Sequence, residues 1–243
     1  MNILITGSNG FIGKNLVKYL AKNTNYKIFE FKRNDDLSYV EKIIKTVDIV
    51  FHFAGINKSK KESDFLNVNA DLTKKICNIV SKNPNTTLIY ASSIQINLNN
   101  YYGKSKKEGE NFCLELQNKF NNKVIILRLP GVFGNGCKPN YNSVVATFCH
   151  NTANEIDIQI IDPDKEIELL FLEDLFEQLI DLINSKTSIK FVKLQKIHKI
   201  SVKRLAATIK NFHQNFNNID FIKSKSIFER NLYKTYISYR KKE

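Results

Sequence analysis

No stretch of the 243 residues approaches the roughly 20 consecutive apolar positions that a membrane-spanning helix needs. The N-terminus, Met1-Asn2-Ile3-Leu4-Ile5-Thr6-Gly7, lacks the charged start and small-residue cleavage site of a secretory signal, and reads as a strand entering a turn. Cysteine is sparse. Cys77, Cys113, Cys137 and Cys149 are scattered, without a Cys-x-x-Cys pair or clustered histidines. A disulfide framework and a structural zinc site are therefore not expected, and no metal is. Neither an internal repeat nor a flexible inter-domain linker interrupts the chain. Together these absences describe a cytoplasmic protein with reduced thiols and no membrane partner, sized for one large α/β domain or a core with a small satellite.

What is abundant is positive charge: 37 Lys and Arg against 24 Asp and Glu, a net +13. Lysines that neutralise phosphates release counterions, so a basic nucleic-acid-binding module is one reading. The lysines are spread among many asparagines, however. The dense runs are Lys58 to Lys61, Lys104 to Lys107 and Arg240-Lys241-Lys242, and none lies in a nucleic-acid-binding motif. A solvated surface whose field collects anionic ligands is preferred, with no nucleic acid as partner.

Apolar runs at residues 2–5, 27–31, 47–54, 87–91 and 124–129 alternate with helical spacings at 11–20, 40–44, 65–81 and 104–120. Such alternation predicts an α/β fold, a doubly wound parallel sheet covered on both faces. Beyond Gly134 the pattern loosens: a polar turn over 137–143, a helix through His150, a strand over 156–161, a helix over 172–183, a short strand over 189–194, and a helix over 201–212 capped by Ser201. The expected organisation is a nucleotide-binding core over 1–135, to which residues of about 165–185 return, and a small substrate-binding α/β subdomain over 136–243.

The first chemical signal is Thr6-Gly7-Ser8-Asn9-Gly10-Phe11-Ile12-Gly13, between a strand and an amphipathic helix. Gly7 permits the tight turn, Gly10 lets backbone N–H groups approach a pyrophosphate, and Gly13 lets the helix pack closely. In this context Gly7, Asn9, Gly10, Phe11, Ile12 and Gly13 are candidate contacts of a dinucleotide in a Rossmann core. The second strand ends in Lys32-Arg33 rather than in an acid. A guanidinium grips a 2′-phosphate that an acid would repel, so NADPH is favoured over NADH.

The second signal is Tyr102-x-x-x-Lys106, which a helix places on one face, downstream of a strand ending Ala91-Ser92-Ser93. A neighbouring ammonium is expected to lower the tyrosine pKa so that the hydroxyl exchanges a proton near neutrality. A serine hydroxyl at that strand end, of Ser92 or Ser93, is placed to bond the same reacting oxygen.

With these residues the chain resembles the extended short-chain dehydrogenase/reductases, the NAD-dependent epimerase/dehydratase family. The match runs through Thr6–Gly13, Phe53-Ala54-Gly55, Asn69, Ser92-Ser93, Tyr102–Lys106, Arg128-Leu129-Pro130 and Phe133-Gly134. The resemblance implies that Tyr102 is the acid/base, that Lys106 also holds the nicotinamide ribose, and that Ser93 orients the substrate carbonyl. It adds Phe53, Ala54, Gly55, Asn69 and Leu129 to the cofactor contacts and implies a homodimer. A narrower resemblance, to the UDP-sugar 4-ketoreductases of capsular polysaccharide synthesis, rests on Ser92-Ser93-Ile94-Gln95, the short gap to Tyr102, the turn Cys137 to Val144, and Leu232 to Tyr236. It implies NADPH-dependent reduction of a UDP-2-acetamido-2,6-dideoxy-hexulose, with Arg128, Lys138 and Asn140 as candidate substrate contacts beside Ser93.

Two departures stand out. Gly131 replaces an asparagine that is common in the family. The narrower group continues into a C-terminal cupin domain that epimerises C3; the chain ends before it and is expected to lack that activity, either as a truncated or as a stand-alone form, with a separate cupin epimerase as a candidate partner. Ile94-Gln95 occupies the place of the Asp-Glu pair that dehydratases use, which disfavours dehydration. A nucleotide-sugar epimerase and a catalytically silent NADP-binding or assembly protein stand as the alternatives.

Overall fold

The computed structural model describes residues 1–185 and 190–240. Ile189 of the strand expected over 189–194, and Lys241 and Lys242 of the basic tail, lie outside the described residues. The chain divides into two compact units, one of Met1–Leu129 with Asn184–Leu194, the other of Pro130–Ile183 with the chain from Gln195.

The first unit carries a six-stranded sheet, ordered β2-β1-β3-β4-β5-β8, in which every pairing is parallel. Its strands are β1 (Asn2–Thr6), β2 (Lys27–Phe31), β3 (Ile49–His52), β4 (Thr87–Ser93), β5 (Val124–Leu129) and β8 (Phe191–Val192). Helices α1 (Phe11–Asn23), α2 (Leu37–Ile43), α4 (Leu72–Val80) and α5 (Tyr101–Phe120) connect them. A short helix α3 (Ser63–Phe65) runs into α4 through a π-helical turn, Leu66–Asp71. Strands covered on both faces must be apolar on both, which is why these runs show no alternation. Leu4, Val50, Leu88 and Val124 form one buried row across β1, β3, β4 and β5, against Val40, Ile76, Val80 and Leu116 from the helices. The order of strands reverses between β1 and β3, and in such sheets ligands bind beyond the carboxyl ends of the strands at that point.

Helix α5 begins at Tyr101 rather than at the expected Lys104, because the Asn100 side chain accepts from the Gly103 N–H at 2.7 Å and caps it. Gly109 sits in its middle, where glycine costs about 1 kcal/mol relative to alanine. The reason is packing: a Cβ there would lie 2.2 Å from the hydroxyl of the fully buried Tyr90. Gly109→Ala is expected to lower the urea midpoint, because overpacking of about 1–3 kcal/mol outweighs the gain in propensity.

The second unit carries a three-stranded sheet in which β6 (Gly131–Phe133) pairs parallel and β9 (His198–Ser201) antiparallel with β7 (Glu166–Phe171). Its core packs Phe133, Phe148, Phe171, Leu205, Phe212, Leu232 and Tyr236. These come from the sheet and from α6 (Val144–Ala153), α8 (Val202–Gln214) and α10 (Ile227–Ile237). Helix α7 (Leu172–Asn184) follows β7, and α9 (Ile219–Lys223) precedes α10. Ser201 caps α8 as expected, accepting from the Arg204 N–H.

The strand expected over 156–161 is absent. Ile161 is 99% exposed and Ile156 51%; Ile158 alone of the run packs against the core of this unit, and among the described residues no strand pairs with the segment. The segment rejoining the first unit is Asn184–Leu194, later than the 165–185 expected, because β7 is held between β6 and β9.

Candidate active site

Beyond the end of β1, Gly7 takes φ +70°, and a Cβ on it would lie 2.6 Å from the Ala54 nitrogen. Its N–H donates to the Phe31 carbonyl, and the Gly10 N–H returns to the Gly7 carbonyl at 2.8 Å, closing the turn. A Cβ on Gly13 would lie 2.3 Å from that same Gly7 oxygen, so helix α1 approaches the turn as closely as its backbone allows. Gly10 caps α1 without a side-chain bond, leaving the first-turn N–H groups without intrahelical acceptors. The Ser8 hydroxyl is buried in this turn with no hydrogen-bond partner among the described residues. Uncapped donors at a helix N-terminus, a buried orphan hydroxyl and a backbone with no room for side chains fit a pyrophosphate.

A polar relay holds the neighbouring strand ends. The Ala54 N–H donates to Thr6 Oγ1 at 3.3 Å, and Thr6 Oγ1 lies 2.6 Å from His52 Nδ1. His52 Nε2 lies 2.9 Å from Thr73 Oγ1, which donates to the Asn69 carbonyl at 2.6 Å. Since Thr73 has one proton and gives it to Asn69, His52 donates from Nε2 and accepts at Nδ1. Burial first, and then the Lys106 charge, push the His52 pKa to about 3, so this ring is neutral. Asn69, presented by the π-helical turn, accepts the Ile56 N–H at 2.7 Å and donates to the Ile56 carbonyl and to Ser105 Oγ. Ser105 donates in turn to the Tyr102 carbonyl. A Cβ on Gly55 would lie 2.8 Å from Asn69 Oδ1, so the loop after β3 is drawn tight against this clamp.

Ser93 closes β4, and its hydroxyl accepts the Gln95 N–H at 3.1 Å. Tyr102 and Lys106 follow on the first turns of α5. Lys106 is 7% exposed, and its Nζ donates to the Ala91 carbonyl at 2.8 Å while lying 5.2 Å above the Tyr90 ring. Burial pulls its pKa down to about 8 against the opposing pull of Cys113 and Glu110. The expectation that Lys106 lowers the Tyr102 pKa is not met. Burial holds Tyr102 above its ordinary value, opposed by a hydrogen bond with Ser93, and the ammonium is turned to Ala91. What results is a protonated phenol beside a serine hydroxyl, able to give a proton and a hydrogen bond to one oxygen.

A model of the "NAD dependent epimerase/dehydratase family" matches residues 3–192. The chain belongs to that family. Along 98% of its length it is 36% identical to the UDP-2-acetamido-2,6-beta-L-arabino-hexul-4-ose reductase of Pseudomonas aeruginosa. Among solved structures it is similar to the capsular polysaccharide assembling protein CapF of Staphylococcus aureus, with 32% identity over 99% of this chain and a TM-score of 0.85. The UDP-glucuronic acid 4-epimerase of Bacillus cereus shares the fold at 16% identity and a TM-score of 0.85, covering 98% of this chain and 96% of its own. The chain spans 65% of the length of the Pseudomonas reductase and 66% of that of CapF.

In this member of the epimerase/dehydratase family the remaining candidates fall into separate places. Lys32 and Arg33 are exposed at the end of β2, where the Lys32 N–H donates to Asp35 and its Nζ lies 4.0 Å from Glu30. Phe53 donates its N–H to the Thr6 carbonyl, and Leu129 is buried opposite Ser93 in the β4–β5 register. Arg128 is engaged by Glu110 through two hydrogen bonds. Lys138 and Asn140 belong to the second unit, where Lys138 Nζ lies 5.7 Å over the Tyr141 ring and Asn140, at φ +56°, donates its N–H to Thr147 Oγ1.

The sequence reading passes over Ser8, His52, Thr73 and Glu110. For Glu110 the signal is its spacing, four residues beyond Lys106 and so on the same helical face. Among the described residues no three His, Cys, Asp or Glu side chains are placed to share a metal ion, and no helix is long and apolar enough to cross a membrane.

Proposed function

We propose that this chain catalyses NADPH-dependent reduction of the 4-keto group of a UDP-2-acetamido-2,6-dideoxy-hexulose, giving a UDP-6-deoxy-HexNAc of the UDP-N-acetyl-L-talosamine type. The observation that carries this reading is one phenol, Tyr102, kept protonated by its burial beside the Ser93 hydroxyl, with Ile94-Gln95 leaving no second proton-moving pair next to them. A carbonyl reduction needs one proton donor at one oxygen; a dehydration needs further groups to move protons on the sugar. The identity of 36% to a hexul-4-ose reductase supports the substrate class.

When bound, the reduced nicotinamide supplies hydride for the sugar C4. The chain's own residues manage the oxygen. Tyr102, kept protonated by its burial, gives its proton as charge builds there, while the Ser93 hydroxyl donates a hydrogen bond to the same atom. Lys106 spends one N–H on Ala91 and keeps two for the ribose hydroxyls. The turn of Gly7, Gly10 and Gly13 and the Ser8 hydroxyl would receive the pyrophosphate, and Lys32 and Arg33 the 2′-phosphate.

The direct test adds a UDP-4-keto-6-deoxy-HexNAc to the purified chain with NADPH or NADH and follows the reduced-nicotinamide absorbance. NADPH is expected to be consumed at the lower KM. Arg33→Ala should raise that KM about tenfold or more, the worth of a charged hydrogen bond, and leave the KM for NADH in place. Equal use of both cofactors by the unaltered chain would contradict the cofactor assignment.

The pH dependence carries two opposite signs. Lys106 holds the ribose best as an ammonium, so the rate should fall as pH rises through about 8, well below the usual lysine range. Stability should rise over the same interval, between about 8 and the ordinary 10.5, because there the unfolded chain binds the proton that the folded one has lost. Rate profiles and urea midpoints measured from pH 7 to 10 check both signs.

A further inference from the structure

The reaction uses Ser93, Tyr102 and Lys106, yet the most deeply set carboxylate in the first unit is assigned to nothing. Glu110 is 4% exposed. Its Oε1 accepts from Ser92 Oγ at 2.5 Å and from Arg128 Nε at 3.0 Å, and its Oε2 accepts from Arg128 Nη2 at 2.8 Å. Ser92 and Arg128 are opposite residues of the β4–β5 register. One carboxylate on α5 therefore grips both strands one residue before the pair Ser93 and Leu129. Tyr102, Lys106 and Glu110 stand at successive intervals of four on α5 and share its face. The Arg128 guanidinium lies 4.8 Å over the Phe191 ring, so β8 is drawn into the same assembly.

We infer that Glu110, with Arg128 and Ser92, is a positioning residue of the active site: it locks the ends of β4 and β5 onto α5 and so fixes Ser93 relative to Tyr102 and Lys106. This rests on the reductase reading for its effect on turnover, but not for its effect on Lys106. It also gives Arg128 a different task from the substrate contact expected of it, because the fork of its guanidinium is committed to Glu110.

Electrostatics follow from the same placement. Facing Lys106 are Glu110 and Cys113 from α5, Cys77 from α4 behind Cys113, Tyr90 from β4 and neutral His52 from β3. At neutral pH the Cys113 thiol and the Tyr90 phenol are uncharged, since burial raises both well above their ordinary values. Glu110 is thus the anion of this set that favours the Lys106 ammonium.

The experiment compares Glu110→Gln and Glu110→Asp with the unaltered chain. Lys106 is titrated by NMR of its Nζ in protein free of cofactor and substrate, and turnover is measured with NADPH and the UDP-4-keto sugar. In Glu110→Gln, Lys106 should titrate about one unit lower, as expected for removal of a nearby opposite charge. Its kcat should fall about tenfold while the KM for NADPH stays within about twofold, a partition that a positional loss at the reacting oxygen produces. Glu110→Asp keeps the charge but not the reach. It should preserve the Lys106 titration and still lose kcat.

Unchanged titration and unchanged kcat in Glu110→Gln, with a lower melting temperature alone, would reduce the cluster to a structural ion pair and overturn the inference. If Glu110→Gln does not fold, unaltered kcat in Glu110→Asp overturns it equally. If the unaltered chain does not reduce the sugar, the functional reading fails, and the Lys106 titration still decides for or against Glu110.

Discussion

Tyr102→Phe is expected to lower the rate of sugar reduction by about 10²–10⁴-fold, the usual worth of a positioned general acid, while NADPH binding stays within about twofold. The substitution removes one oxygen and keeps the ring. That ring meets Phe65 edge to face, with centroids 6.1 Å apart, and the backbone carbonyl of Tyr102 keeps its bond from Ser105. The helix cap at Asn100 and the Asn69 clamp are likewise left in place. Loss of turnover with retained fluorescence quenching by NADPH would therefore be a chemical effect and not a folding one. Comparable turnover in the variant would remove Tyr102 from the acid's role.

Gly13→Ala sets two effects of opposite sign against each other. Inside α1 alanine gains about 1 kcal/mol in propensity. The added Cβ, however, falls 2.3 Å from the Gly7 carbonyl oxygen and 2.9 Å from its carbon, both backbone atoms that no rotamer change can move aside. Helix or turn must shift. The turn is held by Gly10 to Gly7 and by Gly7 to Phe31, so a shift spreads to the very N–H groups that would face the pyrophosphate. Losing two charge-assisted hydrogen bonds there costs about 3–6 kcal/mol. NADPH and NADH affinity should both fall by at least about 100-fold, whereas stability should change by no more than about 2 kcal/mol. Calorimetric titration of both cofactors, set beside the urea midpoint, separates the two. Undiminished binding would show that the glycine turn does not hold the dinucleotide.

The parallel sheet of the first unit was legible because its strands are covered on both faces, and runs such as Ile49–His52 and Val124–Leu129 carry that burial openly. The second unit was not. β6 and β9 have three and four residues, too few to show alternation, while the longer alternation over 156–161 belongs to an unpaired segment that leaves Ile156, Ile160 and Ile161 exposed. Helix α10 did have a readable start, since Ser226 and Glu229 form a capping box.

The Tyr102–Lys106 spacing placed both residues on one helix, but spacing says nothing about where a flexible ammonium points. Lys106 turns to the Ala91 carbonyl, and the phenol pKa follows burial instead. Spacing put Glu110 on the same helical face, but its partners stayed hidden, because Ser92 and Arg128 come from two strands far apart in sequence.

One measurement bears most directly on the reductase reading. NADPH deuterated at the transferring position, with each face labelled in separate samples, is incubated with a UDP-4-keto-6-deoxy-HexNAc, and the sugar and NADP are followed by NMR and mass spectrometry. The account predicts one NADP formed per sugar reduced and, from one of the two labelled samples, a single deuterium at C4. A change of sugar configuration with neither NADP accumulation nor deuterium at C4 would contradict it and identify an epimerase that regenerates its cofactor in each cycle.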